Sequence, residues 1–336
     1  MLARCAIRNS SVPARIRFPL LLPALRTWTV KTWTGVGGGG RIEIKAHGLA
    51  EGRRNSEGVV VSMEPVSLFV TCLVDMFRPE AGQAAVRVLE RRGYSVNFPT
   101  AQTCCGQFSY NTGYAEEASR LARHWIEAFE TTPDPIVALS GSCAAMVIHT
   151  YPDLIATDML RDGHDAAAAE SWKLRAEAVG RRVFELTQTL SAGGSVIMPD
   201  PKNVDAEPVV MVYHLGCHMR RVLGATTAAD AVMAVSGVRL VEPEDADQCC
   251  GFGGTYSLTE PMVSTALADA KWRHICAVAE RTGALGLTSA DLGCLLHLEG
   301  RASRAGNVFP CRHVAEILDL QDEGRLTSEN IERRGR

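Results

Sequence analysis

Gln248-Cys249-Cys250-Gly251-Phe252-Gly253-Gly254 decides how this chain is read, because Thr103-Cys104-Cys105-Gly106 repeats its centre. Two adjacent cysteines followed by glycine, occurring twice, are hard to read as core filler. The surroundings repeat as well. Cys217 lies 145 residues after Cys72, and the same offset separates Cys249 from Cys104 and Cys250 from Cys105. A further cysteine follows each pair, Cys143 and Cys294; these are 151 apart, so the second copy carries six extra residues. One module is written twice. Each copy offers four thiols in the order C, CC, C, the number that a cuboidal iron–sulfur cluster or a closed zinc site requires.

A chain of 336 residues, 46% hydrophobic and 22% charged, has ordinary globular composition and material for two cores. Its longest apolar runs, such as Phe18 to Leu25 and Val66 to Leu73, fall short of the ~20 residues a membrane helix needs, which predicts a soluble protein without membrane insertion. Residues 1–62 hold ten Lys and Arg against three Asp and Glu; the remainder holds 25 against 35. That acidic remainder excludes nucleic-acid binding by composition. Eleven cysteines without a secretory leader point to a reducing, cytoplasmic setting, where regular spacing signals metal or redox chemistry rather than disulfides.

Residues 1–62 lack a sustained period and contain Gly37-Gly38-Gly39-Gly40, so disorder is expected there. Two readings stay open for them, a transit peptide or an over-extended start ahead of Met63. From 63 the chain becomes periodic. The first module is placed at 63–160, with strands at Val66–Thr71, Tyr94–Phe98 and Ile136–Leu139 and helices at Pro79–Arg92 and Tyr114–Glu130. A connector, 161–208, is expected to hold a helix from Ala166 to about Leu190. The second module, 209–321, repeats the order, with strands at Val209–His214, Val238–Val241 and Ala284–Thr288, helices at Ala228–Val235 and Pro261–Ala279, and a closing strand and helix over Val308–Leu320. The polar tail, 322–336, is expected to fray. Strands alternating with helices predict an α/β fold: two tandem modules, each a small, mostly parallel sheet with flanking helices. In such sheets the strand C-termini share one edge, where ligands bind. Cysteines spread over 71 positions are thereby brought together.

Thiolates are the soft anionic ligands that iron in a sulfide cluster takes. Cys72, Cys104, Cys105 and Cys143 are the candidates in the first copy, and Cys217, Cys249, Cys250 and Cys294 in the second. Neighbouring cysteines on an extended segment point apart, so the chain must bend sharply for both to converge, and Gly106 and Gly251 allow that bend. Gly141, Gly216, Gly253, Gly254 and Gly293, beside the ligands, are placed to leave backbone N–H groups free for cluster sulfurs. Cys276, in a helix with Ala277 and Val278, reads as core, and Cys5 and Cys311 have no counterpart in the repeat. His214 and His218 read as strand-end or supporting hydrogen-bonding residues rather than ligands. His297, in C-x-x-H spacing from Cys294, has the best claim to be a non-thiol ligand, although a structural role is the stronger expectation. No catalytic residue is assigned.

The C…CCG…C pattern, Ser140-Gly141-Ser142-Cys143, Tyr213-His214-x-x-Cys217-His218 and the Cys249–Gly254 turn resemble the CCG cysteine-rich domain proteins, most closely the lactate utilization protein A family. The resemblance covers roughly Met63 to Asp319. It implies an iron–sulfur electron-transfer subunit, not itself the catalyst, of a three-part cytoplasmic system that oxidises L-lactate to pyruvate. Its partners would be further iron–sulfur proteins. One cluster of the 4Fe–4S type per module is the simplest implied loading; zinc in one module, or an empty one, stays open. The chain is also similar to the iron–sulfur subunit of glycolate oxidase and to the CCG-containing subunit of heterodisulfide reductase. In the latter each module ends in Cys-x-x-Cys, whereas here the second positions are Met146 and His297. A five-cysteine site is therefore missing, which argues against a thiol–disulfide reductase. A glycolate oxidase subunit and a zinc-stabilised interaction protein are the remaining alternatives.

Overall fold

The structure is a computed structural model that describes residues 53–54, 60–61, 63–192 and 207–332. Apart from the short antiparallel pair Arg53–Arg54 with Val60–Val61, the extension 1–62 lies outside the described residues, as do Cys5 and 333–336. Two four-stranded sheets follow. The first contains β1 (Glu64–Phe69), β2 (Tyr94–Asn97), β3 (Ile136–Ala138) and β4 (Val183–Glu185), in spatial order β2-β1-β3-β4. The second contains β5 (Val209–Tyr213), β6 (Val238–Val241), β7 (Leu287–Ser289) and β8 (Cys311–His313), in order β6-β5-β7-β8. Every pairing in both sheets is parallel. The topology, like the cysteine spacing, is duplicated.

Side chains alternate along β1 as a strand requires. Val66 and Leu68 pack with helix Pro79–Arg91, and Phe69 packs on the other face with Trp125 and Phe129 of helix Ala115–Phe129. Pro79 at the first turn and Arg91 in the last suit that helix to its ends. The second copy's long helix, Pro261–Thr282, has 22 residues where Ala115–Phe129 of the first has 15, and most of the six-residue insertion falls there.

The helix expected over 166–190 is corrected. It runs Ala166–Gly180 from an Asp165 cap, gives way to β4, and resumes as Leu186–Ala192. A three-residue strand is too short to display its period, and the leucines at 186 and 190 mask it with helical spacing. β4 falls in the stretch read as a connector and forms the edge of the first sheet, the place β8 takes in the second. The chain after Asp322 is also more ordered than expected. It folds back as helix Ser328–Glu332, burying Ile331, whose carbonyl accepts from Arg312 Nε at 3.0 Å.

The two modules are joined reciprocally. The closing helix of the second, Val314–Asp322, packs on Pro79–Arg91 of the first, and the corresponding helix of the first, Leu186–Ala192, packs on Ala228–Val235 of the second. One buried apolar cluster runs from Val66 and Leu89 through to Met211 and Leu318, so the copies share a core. No helix among the described residues is long and apolar enough to cross a membrane.

Candidate metal centres

All eight repeated cysteines lie past the C-terminal ends of strands. Cys72 and Cys217 open the helices that follow β1 and β5; Cys104-Cys105 and Cys249-Cys250 sit in the loops after β2 and β6; Cys143 and Cys294 sit in the first turns after β3 and β7. Parallel topology gathers them into two groups. In the first, Cys72 Sγ is 3.5 Å from Cys104 Sγ, and Cys105 Sγ is 3.4 Å from Cys143 Sγ. In the second, Cys250 Sγ is 2.9 Å from Cys294 Sγ, and Cys217 is near enough to Cys249 for each thiol to shift the other. All eight are free thiols, partly or fully buried.

Each group polarises itself. The thiols of Cys105 and Cys72 hold Cys104 down to about 3. In the second group Cys217 and Cys250 hold Cys249 down to about 2, and Cys250 holds Cys294 down to about 7. The partners move the other way, Cys72 and Cys217 being pushed up because each donates to its thiolate neighbour. A ready thiolate within a ring of thiols is a donor set for a soft metal or an iron–sulfur cluster.

The CCG turns take the bend that the sequence calls for. Gly106 and Gly251 have φ of +79° and +86°, in the left-handed region. A Cβ on Gly251 would also stand 2.5 Å from the Ser264 carbonyl oxygen. The turn is braced from outside: Ser264 Oγ donates to the Gly251 carbonyl at 2.7 Å and meets His297 Nε2 at 3.2 Å. In the first module Tyr151, which follows a π-helical turn at Met146–Thr150, donates its hydroxyl to the Cys105 carbonyl at 2.9 Å.

Residues that flank the two groups touch across the boundary between the modules. Asp291, three residues before Cys294, accepts from Ser140 Oγ at 2.7 Å and from the Ser142 N–H at 2.9 Å, both just before Cys143. Gln107 Nε2 donates to the Ser142 carbonyl and lies 3.3 Å from His218 Nε2, and the Phe108 and Phe252 rings meet edge to face. Gly216 and Gly141 permit this approach, since a Cβ would come 2.1 Å from Asp291 Oδ2 and 2.2 Å from Met219 Cγ, respectively.

Residues 66–148 and 211–299 each match the CCG family, described as a cysteine-rich domain. "Lactate utilization protein A" of Halalkalibacterium halodurans is 39% identical over 262 residues, 77% of this chain and 98% of that protein. The protein of the same name from Shouchella clausii is 39% identical over 259 residues, 76% and 99% of the two chains, and that of Exiguobacterium sp. is 40% identical over 260 residues, 76% and 98%. The chain belongs to the lactate utilization protein A family. A solved structure, a hypothetical protein from Helicobacter pylori, shares the fold at 12% identity with a TM-score of 0.50. That match covers 80% of this chain, which spans half the length of the solved one.

Within this family member, the histidines are placed differently from one another. His297 braces the CCG turn through Ser264, and His218 Nδ1 lies 3.5 Å from Cys217 Sγ. His214 is buried beside the second thiol group, where one of its nitrogens and the sulfurs of Cys250 and Cys294 all lie within 4.8 Å of one another. Cys276 is buried in helix Pro261–Thr282, and Cys311 is buried at the start of β8. Asp291 and Ser140 escape a reading of the cysteines alone, yet the 151-residue offset of Cys143 and Cys294 also pairs these two, a signal that the sequence does carry.

Proposed function

We propose that this protein is the iron–sulfur electron-transfer subunit of a system that oxidises L-lactate to pyruvate. Cys72, Cys104, Cys105 and Cys143 would hold one four-iron cluster, and Cys217, Cys249, Cys250 and Cys294 the other. A bound cluster supplies a one-electron store. The chain's own residues do the rest: the thiols ligate, the CCG turns present adjacent cysteines to one side, and the Ser140–Asp291 contact ties together the segments that carry Cys143 and Cys294. That last observation carries the reading, because two thiol groups tied to one another through their flanking residues suit relay between them. Lactate as the substrate comes from the name of the relatives. Nothing among the described residues is assigned to proton abstraction from lactate, so the carbon chemistry belongs to cytoplasmic partner subunits carrying further iron–sulfur centres. Exposed Met76 and Phe77 follow Cys72, and exposed Leu258 and Met262 follow the Cys249-Cys250 turn, apolar surface of the kind that a docking partner covers.

The test is anaerobic quantification of iron, acid-labile sulfide and zinc, with electron paramagnetic resonance before and after dithionite. About eight irons and eight sulfides per chain are expected for two four-iron clusters. Cys105→Ser and Cys250→Ser should each lower the iron by about half. Zinc without sulfide after reconstitution with iron and sulfide would sink the proposal. With the partner subunits added, reduction by L-lactate and not by glycolate supports the substrate; the reverse identifies a glycolate system.

A further inference from the structure

The two sites are not chemical copies. The 145-residue offset that pairs the first three cysteines of each module also pairs Phe69 with His214. Phe69 is an ordinary core residue, stacked edge-on against Trp125 and Phe129. His214 is 1% exposed, and neither of its ring nitrogens makes a hydrogen bond of normal geometry. A buried imidazole left in this state is costly unless something absent from the protein chain satisfies it. Its backbone does not explain its presence: the His214 N–H and carbonyl are taken by the Thr288 carbonyl and the Ser289 hydroxyl, bonds that any residue would make. The side chain stands beside Cys250 and Cys294, with one nitrogen and the two sulfurs mutually within 4.8 Å. Donors bonded to one metal at 2.0–2.3 Å stand about 3.3–3.8 Å apart, so a small adjustment brings the nitrogen and one of these sulfurs onto the same metal.

We propose that His214 is a metal ligand of the second site, which is therefore a mixed thiolate–imidazole centre, whereas the first site is thiolate only. This rests on the iron–sulfur reading above. His214 adds a nitrogen donor to the four thiolates of the second site, so the two sites differ in ligation and hence in potential. One duplicated module thus yields two unequal stations through a single substitution at a strand end.

The test is pulsed electron paramagnetic resonance on the reduced full-length holoprotein, with natural-abundance and 15N-labelled histidine. The expected result is a strongly coupled, directly bonded nitrogen that changes with the label, persists in His218→Gln and His297→Gln, and disappears in His214→Phe. Redox titration should show one of two potentials shifting in His214→Phe, the other staying in place. His214→Leu serves if the larger phenylalanine prevents folding, and the labelling of the unsubstituted protein needs no variant. A wild-type spectrum with iron and sulfide loaded but no strongly coupled histidine nitrogen overturns the assignment and leaves the electron-transfer reading intact. So does a coupling that survives His214→Phe or is lost in His218→Gln. Failure of the wild type to take up iron and sulfide overturns both.

Discussion

Ser140 and Asp291 hold the same place in the two copies of the module, and they bond to each other, with Ser140 Oγ donating to Asp291 Oδ1 at 2.7 Å. A residue that meets its own repeat counterpart lies close to the axis relating the copies. This pair, three residues from Cys143 and Cys294, joins the modules beside both thiol groups. Asp291→Ala strands the Ser142 N–H and leaves the Ser140 hydroxyl with the Ser142 hydroxyl, a loss of about 1–3 kcal/mol by the usual cost of an unpaired buried polar group. Asp291→Asn, which keeps one acceptor oxygen, should cost less. Chemical denaturation at neutral pH checks both, and equal losses would contradict the account.

Gly216 and Gly141 sit on the same boundary but should respond differently to alanine. At Gly216, with φ of −58°, the backbone suits any residue, yet a Cβ would lie 2.1 Å from Asp291 Oδ2, and moving that carboxylate disturbs the two bonds that its Oδ1 accepts. At Gly141 the obstruction is the Met219 side chain, which is flexible. Gly216→Ala is expected to destabilise by about 1–3 kcal/mol and Gly141→Ala by less. In a double-mutant cycle, Asp291→Ala should relieve most of the Gly216→Ala penalty, giving a non-additive pair.

Arg92 at the end of helix Pro79–Arg91 and Asp322 at the end of Val314–Asp322 form a two-bond pair at 2.8 and 3.0 Å, each side chain 2% exposed. Removing either partner leaves a buried charge, so Arg92→Ala or Asp322→Ala should each cost about 3–5 kcal/mol. The double replacement Arg92→Met with Asp322→Leu should lose far less. The nearby Arg87 and Arg91 bonds to Asp319 are more exposed on the arginine side and should matter less singly.

Glu185, the last residue of β4, caps the following helix by accepting from the Thr187 N–H and hydroxyl, while its Oε1 is buried without a partner. Burial raises its carboxyl from 4.5 to about 7, and Asp291 adds to the rise while the Thr187 and Gln188 hydrogen bonds oppose it. The folded state therefore holds a proton that the unfolded chain releases between these values. The stability associated with that proton is fully present below pH 4.5 and lost as pH rises through 7, about 3 kcal/mol in all. Glu185→Gln should remove this slope, so that the stability difference between variant and wild type changes across that window. Parallel pH profiles would show that the carboxyl is not the titrating group.

Much of this is legible in the sequence, because the informative features are local. Cysteine identity, their doubled register and the βα alternation require no long-range knowledge, and parallel strands force every C-terminal end to one edge. That is why spacing alone groups Cys72, Cys104, Cys105 and Cys143, and their counterparts likewise. β4 is not legible, since three residues show no period and Leu186 and Leu190 suggest a longer helix. The exchange of closing helices and the meeting of Ser140 with Asp291 depend on which faces of two distant modules fit together, summed over many contacts. The histidines show the boundary most plainly. C-x-x-H spacing favours His297, but spacing does not say where a ring points: the helix turns His297 onto Ser264, while β5 ends with His214 against Cys250 and Cys294. The sequence alone determined which chemistry the chain carries and how often; the tertiary structure decided how the two copies face each other and which side chain makes them unequal, because direction in space is set by packing between segments that no local pattern encodes.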